Sequence, residues 1–400
     1  MLKDVKKLSA LGNRRLRTII GLMSGTSLDG LDVALCQFIG CGKSTKAKLL
    51  HFATIPYDEA FKEEIRRVFA QKTIDFQHLT LLNVVVAERH AAIVNDCLKT
   101  WGVAASEVDL LASHGQTVFH APKSLHGLEQ YPNATLQIGD GDHLAWRTDI
   151  ITVSDFRQKH LAAGGEGAPL AIFGDYFLFS QRGEARFLLN IGGIANFTYL
   201  SADRNPEKVF ATDTGPGNTL IDAFARRLFE VPYDADARLA KNGRVDPLLL
   251  EILKSEPFFA RDFPKTTGPE RFSVEWVLAA IAQLPKATIN PYDLMATLSQ
   301  LTADTIAEAL RRVAPDKRAT RHTIYLSGGG AHNPFIVGRL KEMLPQFKCL
   351  PMQKAGIPGD AKEAVLFAAL ANETVAGRAG EGFGLGGVPW VSMGKISFPH

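Results

Sequence analysis

Four short stretches of the 400-residue chain set glycine beside serine, threonine, aspartate or asparagine. They are SGTSLDG at 24–30, NIGGIAN at 190–196, DTGPGN at 213–218 and LSGGGAHN at 326–333. Small residues let backbone approach a ligand closely. Successive N–H groups in such turns form concave anion sites, and hydroxyls such as those of Thr26 and Ser27 add donors for phosphate oxygens. One turn of this kind is ordinary loop chemistry. Four of them, each beside a strand-like run, point to a shared nucleotide cleft.

Other motifs point away from other chemistries. GCGKST at 40–45 looks like a phosphate-binding P-loop, but the required glycine five residues before Gly42 is Gln37, and the segment lies between two strands. No G-x-G-x-x-G follows a strand and no G-x-S-x-G elbow exists, so dinucleotide and serine-hydrolase readings have no anchor. His114 and His120 stand six apart, off the helical zinc spacing. His114 therefore reads either as a satisfied core histidine or as a substrate donor.

The elements that must carry these turns follow from periodicity and punctuation. Thr18–Met23, Leu31–Phe38 and Lys48–Ile55 read as strands of an antiparallel meander. Ala60–Ala70 and Gln77–Thr100 read as helices, and Leu110–Ala112, Thr135–Ile138 and Ile150–Val153 as short strands. The pattern restarts with strands at Arg186–Ile191 and Phe197–Leu200 and a short one before Asp213. Helices at Leu220–Phe229, Val245–Leu253, Val274–Ala282 and Asp293–Val313 follow, then a strand at Thr323–Leu326 and a helix at Asp360–Val375. Two similar α/β halves facing a cleft are expected. Residues 1–17 read as a flexible leader, 18–180 as the first lobe joined by 377–400, and 181–376 as the second.

Composition agrees with a globular chain. Lys and Arg number 45 against 42 Asp and Glu, a net charge of +3, with 46% apolar and 22% charged residues. Those fractions exclude disordered, collagenous and disulfide-scaffold chains. Scattered charge indicates neither a nucleic-acid nor a membrane partner. Four unpaired cysteines, no secretory leader and no apolar run of spanning length predict a cytoplasmic protein.

The ordered set GLMSGTSLDG, SHGQT, DFR, AAGGEGAPL, LNIGGIAN, DTGPGN, PKTTGPERF, LSGGGAHN and GDAKEA resembles the anhydro-N-acetylmuramic acid kinases over about residues 18–375. The resemblance implies two ribonuclease-H-like lobes, as in actin, Hsp70 and hexokinase, with an ATP cleft between them. It implies a reaction in which ATP and water open 1,6-anhydro-N-acetylmuramic acid to N-acetylmuramic acid 6-phosphate, a step in peptidoglycan recycling. It also implies a homodimer. Carried over residue by residue, Ser24, Gly25, Thr26, Ser27, Leu28, Asp29, Gly30 and Leu31 cradle the ATP phosphates. Gly192, Gly193, Asn196, Gly328, Gly329, Gly330 and Asn333 complete the nucleotide site, and Asp213 is the base. His114, Gln116, Asp155, Arg157, Gly215, Asn218 and Glu363 are expected at the sugar. Thr214, Gly141 and Gln158 depart from the family's usual residues near that pocket.

A sugar with an internal 1,6-ether has no free 6-hydroxyl. Water activated by a carboxylate must attack the anomeric carbon so that O6 becomes able to take the phosphoryl group, as in inverting glycoside hydrolysis. Asp29 either carries water on Mg²⁺ or stabilises its own turn. Glu363 either binds sugar or completes a capping box with Asp360. Arg157 pairs with Asp155 or with the lactyl carboxylate. Lys265, Thr266, Thr267 and Glu270 form a polar loop able to close over the cleft. Two further readings are a kinase of another sugar on the same fold and a non-catalytic ATP-hinged assembly protein.

Overall fold

The computed structural model describes residues 3–314, 321–378, 384, 388 and 390–400. Residues 1–2 of the expected leader, and 379–383, 385–387 and 389 of the C-terminal segment, lie outside them. The chain divides into two units, Met1–Leu178 with Asp360–His400, and Phe179–Gly359.

The first unit is built on β1 (Leu16–Ser24), β2 (Gly30–Ile39), β3 (Lys46–Pro56), β4 (Leu110–Ala121), β5 (Ala134–Ile138), β6 (Thr152–Ser154) and a late β12 (Lys395–Ser397). Their order is β12-β6-β4-β1-β2-β3, with β5 on β4. The meander is antiparallel as expected, and β4 runs parallel to β1. Central β1 reads as a nearly unbroken apolar run because both of its faces are covered. On one side lies the helix Phe76–Trp101, started by the Asp75 side chain and stopped by Gly102 at φ 67°. Its Leu82, Val86, Ala91 and Val94 join the core with Ile20 and Leu22. On the other lies the helix Lys362–Ala376, so close that a Cβ on Gly21 would sit 1.9 Å from the Ala364 carbonyl oxygen.

The second unit holds β7 (Glu184–Ile191), β8 (Ile194–Leu200), β9 (Phe210–Pro216), β10 (Arg321–Ser327) and β11 (Phe347–Pro351), ordered β11-β10-β7-β8-β9. Again three antiparallel strands precede two parallel ones. Its core centres on the helix Pro291–Val313, capped by Asn290 and packed with Phe187, Leu189 and Phe197. Each unit therefore carries the mixed sheet of ribonuclease-H-like folds, running β3-β2-β1-β4-β6 in the first and β9-β8-β7-β10-β11 in the second.

Several expectations are corrected. The leader, expected without regular structure, carries a helix over Lys3–Leu11 with Leu11 buried. Arg17, 2% exposed, binds Asn372 Oδ1 at 2.7 Å and the Gly40 carbonyl at 2.6 Å. The last long helix, assigned to the second lobe by chain order, belongs to the first unit because its buried face packs on β1, β2 and β4. The P-loop look-alike is a short turn between β2 and β3 whose Gly42 N–H is held by the Glu373 carboxylate, both oxygens at 2.9 Å. Among the described residues no helix is long and apolar enough to cross a membrane.

Candidate active site

The turn after β1 is held from behind. Ser24 Oγ is buried, donating to Gln116 Oε1 at 2.5 Å and lying 2.8 Å from the Tyr57 hydroxyl. That hydroxyl in turn lies 2.8 Å from His90 Nε2. Gln116, expected at the sugar, is fully buried behind the turn, its Nε2 reaching the Gly25 carbonyl at 3.4 Å. Leu28 and Leu31 send their side chains into the core and offer only backbone. Leu28 takes φ 60°, the left-handed region, which tightens the turn. Thr26, Ser27 and Asp29 are exposed and Gly25 half-buried, leaving one open polar rim. Asp32, just beyond and unforeseen, accepts from Thr54 Oγ1 at 2.6 Å. Burial raises its carboxyl, with Asp360 and Asp29 adding to the rise and Thr54 opposing it.

A second group in this unit surrounds Arg157, on the helix Phe156–Ala162. Its Nε and Nη2 donate to His114 Nε2 at 3.1 and 3.0 Å, and Nη1 donates to the Gly167 carbonyl at 2.7 Å. Asp155 turns away and pairs with Lys395 at 2.5 Å, so the expected Asp155–Arg157 pair does not form. The expected capping box is also absent, because the helix starts after Ala361 with no side-chain cap. Glu363 makes no hydrogen bond to a described residue. It keeps one exposed side while protein crowds the rest. That desolvation raises its carboxyl, and Lys362 and Arg157 oppose the rise.

In the second unit β9 continues through Asp213 to Pro216. Asp213 is half-buried; its Oδ2 accepts the Thr267 N–H at 2.8 Å, and no described residue bonds Oδ1. Burial raises this carboxyl above the usual range, with the Thr267 N–H opposing. The 265–267 segment is no free lid. Lys265 is buried, its Nζ donates to the Phe258 and Phe259 carbonyls, and burial lowers it to about 8.

Registered strand partners share a sheet face. Ser327 faces Asn190, Asn190 faces Asn196, and Asn196 faces Asp213. Four polar residues thus cross β10, β7, β8 and β9 in one row, all half-buried. Asn190 and Ser327 were missed, although both sit inside the quoted motifs; only strand register gives them a direction.

The glycine turns of this unit interlock. Gly217 and Asn218 N–H groups donate to the Gly193 and Gly192 carbonyls, both at 2.8 Å. Asn218 Nδ2 reaches the Ile191 carbonyl at 3.2 Å, and a Cβ on Gly330 would meet Asn218 Oδ1 at 3.0 Å. Asn218, expected at the sugar, therefore lies among the turns expected to hold nucleotide. Gly215 packs under Phe259. Asn333 caps the helix Pro334–Met343, accepting from Phe335 and Ile336 N–H, so its amide oxygen is taken. A cavity of about 560 Å³ opens here, lined by Asn218, Tyr233, Asp236, Gly329 and His332 among others. Of the residues departing from the family's pattern, Thr214 and Gln158 bond to the Ala195 and Thr135 carbonyls. A Cβ on Gly141 would strike Ser154 Oγ at 2.4 Å.

Two ribonuclease-H-like units, each with glycine turns at its strand ends, define a protein of the actin, Hsp70 and hexokinase class. The family model for anhydro-N-acetylmuramic acid kinase matches residues 17–393, and the chain belongs to that family. A relative of that name from Pseudoalteromonas atlantica is 48% identical over 403 residues, covering 100% of both chains. Another, from Pseudoalteromonas translucida, is 46% identical over 96% of each. A third, from Caldanaerobacter subterraneus subsp. tengcongensis, is 38% identical over 93% of this chain and 94% of its own.

Proposed function

We propose that the chain uses ATP and water to open 1,6-anhydro-N-acetylmuramic acid and phosphorylate O6, yielding N-acetylmuramic acid 6-phosphate and ADP. Its family membership supports the reading. The observation that carries the chemistry is Asp213, with one carboxylate oxygen fixed, one uncommitted and its proton affinity raised by burial. Asp213 takes a proton from water as the water oxygen bonds to the anomeric carbon. The C1–O6 bond breaks, O6 bonds to the γ-phosphorus, and the bond from that phosphorus to the β-phosphate oxygen breaks. No separate acid is needed, because the phosphoryl group receives the leaving oxygen. General-base assistance is worth about 10²–10⁴-fold.

The rim of Thr26, Ser27 and Asp29 holds phosphates with fixed N–H and hydroxyl dipoles. Mg²⁺ fits this donor set: it commonly binds through one or two carboxylates plus phosphates and keeps several waters. The exposed Asp29 carboxylate would hold it through a water, and the ion would supply charge neutralisation at the phosphates. Arg157 and Glu363 bind the sugar, with the guanidinium suited to the lactyl carboxylate. Because the donor is ATP, the reaction belongs in the cytoplasm.

Incubation with ATP, Mg²⁺ and the anhydro sugar, followed by mass analysis, tests the reading. The expected product is heavier by one water and one phosphoryl group. N-acetylmuramic acid is offered in parallel. Phosphorylation of that open sugar alone would overturn the proposal.

A further inference from the structure

We infer that Asn196 holds the attacking water against Asp213, so that amide and carboxylate together aim one lone pair at the anomeric carbon. The inference rests on the function proposed above and adds a second group at the reacting oxygen.

Asn196 on β8 is the registered partner of Asp213 on β9, beside the bulge that shifts the ladder at Ala195. Directly opposed side chains stand about 4.5–5.5 Å apart at Cβ and share a face, a gap one water can bridge. Most other asparagines of this unit are committed, while Asn190, next in the row, meets only Ser327 Oγ among the described residues, at 3.5 Å. Asn218 reaches the Ile191 carbonyl, and Asn205, Asn290 and Asn333 cap helical turns. The Asn196 amide makes no hydrogen bond to a described residue and is half-buried. Across from it, Asp213 Oδ1 is open while Oδ2 is fixed by Thr267.

A water held by one carboxylate oxygen still rotates about that bond. A second fixed partner removes the freedom, and misplacement of about 1 Å costs about 10²-fold in rate. The second partner must be uncharged, since a cation beside Asp213 would lower its proton affinity. An amide meets that need. The nearby cation, Lys265, is turned onto the Phe258 and Phe259 carbonyls.

Asn196→Ala and Asn196→Asp in the full chain test the role. N196A is expected to lose about 10²-fold in kcat while the KM for ATP stays within about twofold. N196D sets a like charge beside Asp213, so the acid limb of kcat/KM should move up by about one pH unit or more. A raised KM for ATP with kcat retained in N196A would make Asn196 a nucleotide ligand and overturn the inference. An unmoved acid limb in N196D would overturn it too, and this near-isosteric variant carries the test alone if N196A fails to fold. The two levels separate cleanly. Normal turnover in Asp213→Asn removes the base itself, whereas an inactive D213N beside a fully active N196A removes only the water-holding role.

Discussion

Two N–H groups of Arg157 converge on one atom, Nε2 of His114, at 3.0 and 3.1 Å. An atom accepting both carries no proton, so the ring is neutral with its hydrogen on Nδ1. Burial, with the Arg157 charge adding to it, pushes the imidazole down to about 3. His114 is 3% exposed, with its Nε2 taken up by Arg157. In the proposed site its role is to fix the Arg157 fork offered to the sugar. His114→Ala should therefore raise the sugar KM about tenfold or more while the KM for ATP changes little. Steady-state kinetics with each substrate varied in turn check this, and equal effects on both would contradict it.

His90, fully surrounded behind Tyr57 and the turn after Ser24, is likewise pushed down to about 3 by burial. A histidine held neutral in the fold but free to protonate near pH 6.5 when unfolded gives stability that is complete above that pH. It is lost as pH falls toward about 3, because the unfolded chain then binds more protons. His90→Gln should remove up to about 1.4 kcal/mol per pH unit from the acid slope of stability below pH 6.5. Urea unfolding at pH 7 and pH 4.5 measures it. Identical slopes in the two proteins would show that His90 is not the titrating group.

Asp213→Asn keeps the volume and removes the proposed base. Turnover should fall by at least about 10² while ATP binding, followed by calorimetry, persists. Retained turnover would remove Asp213 from the chemistry.

Glu363 has no cap to serve, so its loss should cost ligand and not fold. Glu363→Gln is expected to raise the sugar KM about tenfold and leave the melting temperature within about 2 °C. A large drop in melting temperature with an unchanged KM would return Glu363 to a structural role.

The knitted glycine turns make a steric prediction. A Cβ on Gly217 would lie 2.2 Å from the Gly192 carbonyl oxygen, so Gly217→Ala must part the two turns. It should destabilise by about 2 kcal/mol or more and abolish nucleotide binding. Gly338, inside the helix Pro334–Met343 with open space around it, is the control. Gly338→Ala should stabilise by about 0.5–1 kcal/mol. Thermal melts of both decide the matter.

Much of this molecule could be read from chain order. The strand before Ser24, the two meanders, the helix ending at Gly102 and the glycine turns all depend on neighbours within a few residues. A cap, a tight turn or an apolar alternation carries its physics locally, and motif order was enough for the family. The long helix at 362–376 was found as a helix yet given to the wrong unit, since its surface says that it packs but not on which sheet.

The remaining assignments turned on groups far apart in sequence. Asp155 found Lys395, 240 residues on, instead of Arg157. The row from Ser327 through Asn190 and Asn196 to Asp213 exists only because four strands lie in one register. Motifs name the groups able to do chemistry. Folding settles which of them remain free, because each carboxylate or amide has few bonding sites and distant strands compete to fill them.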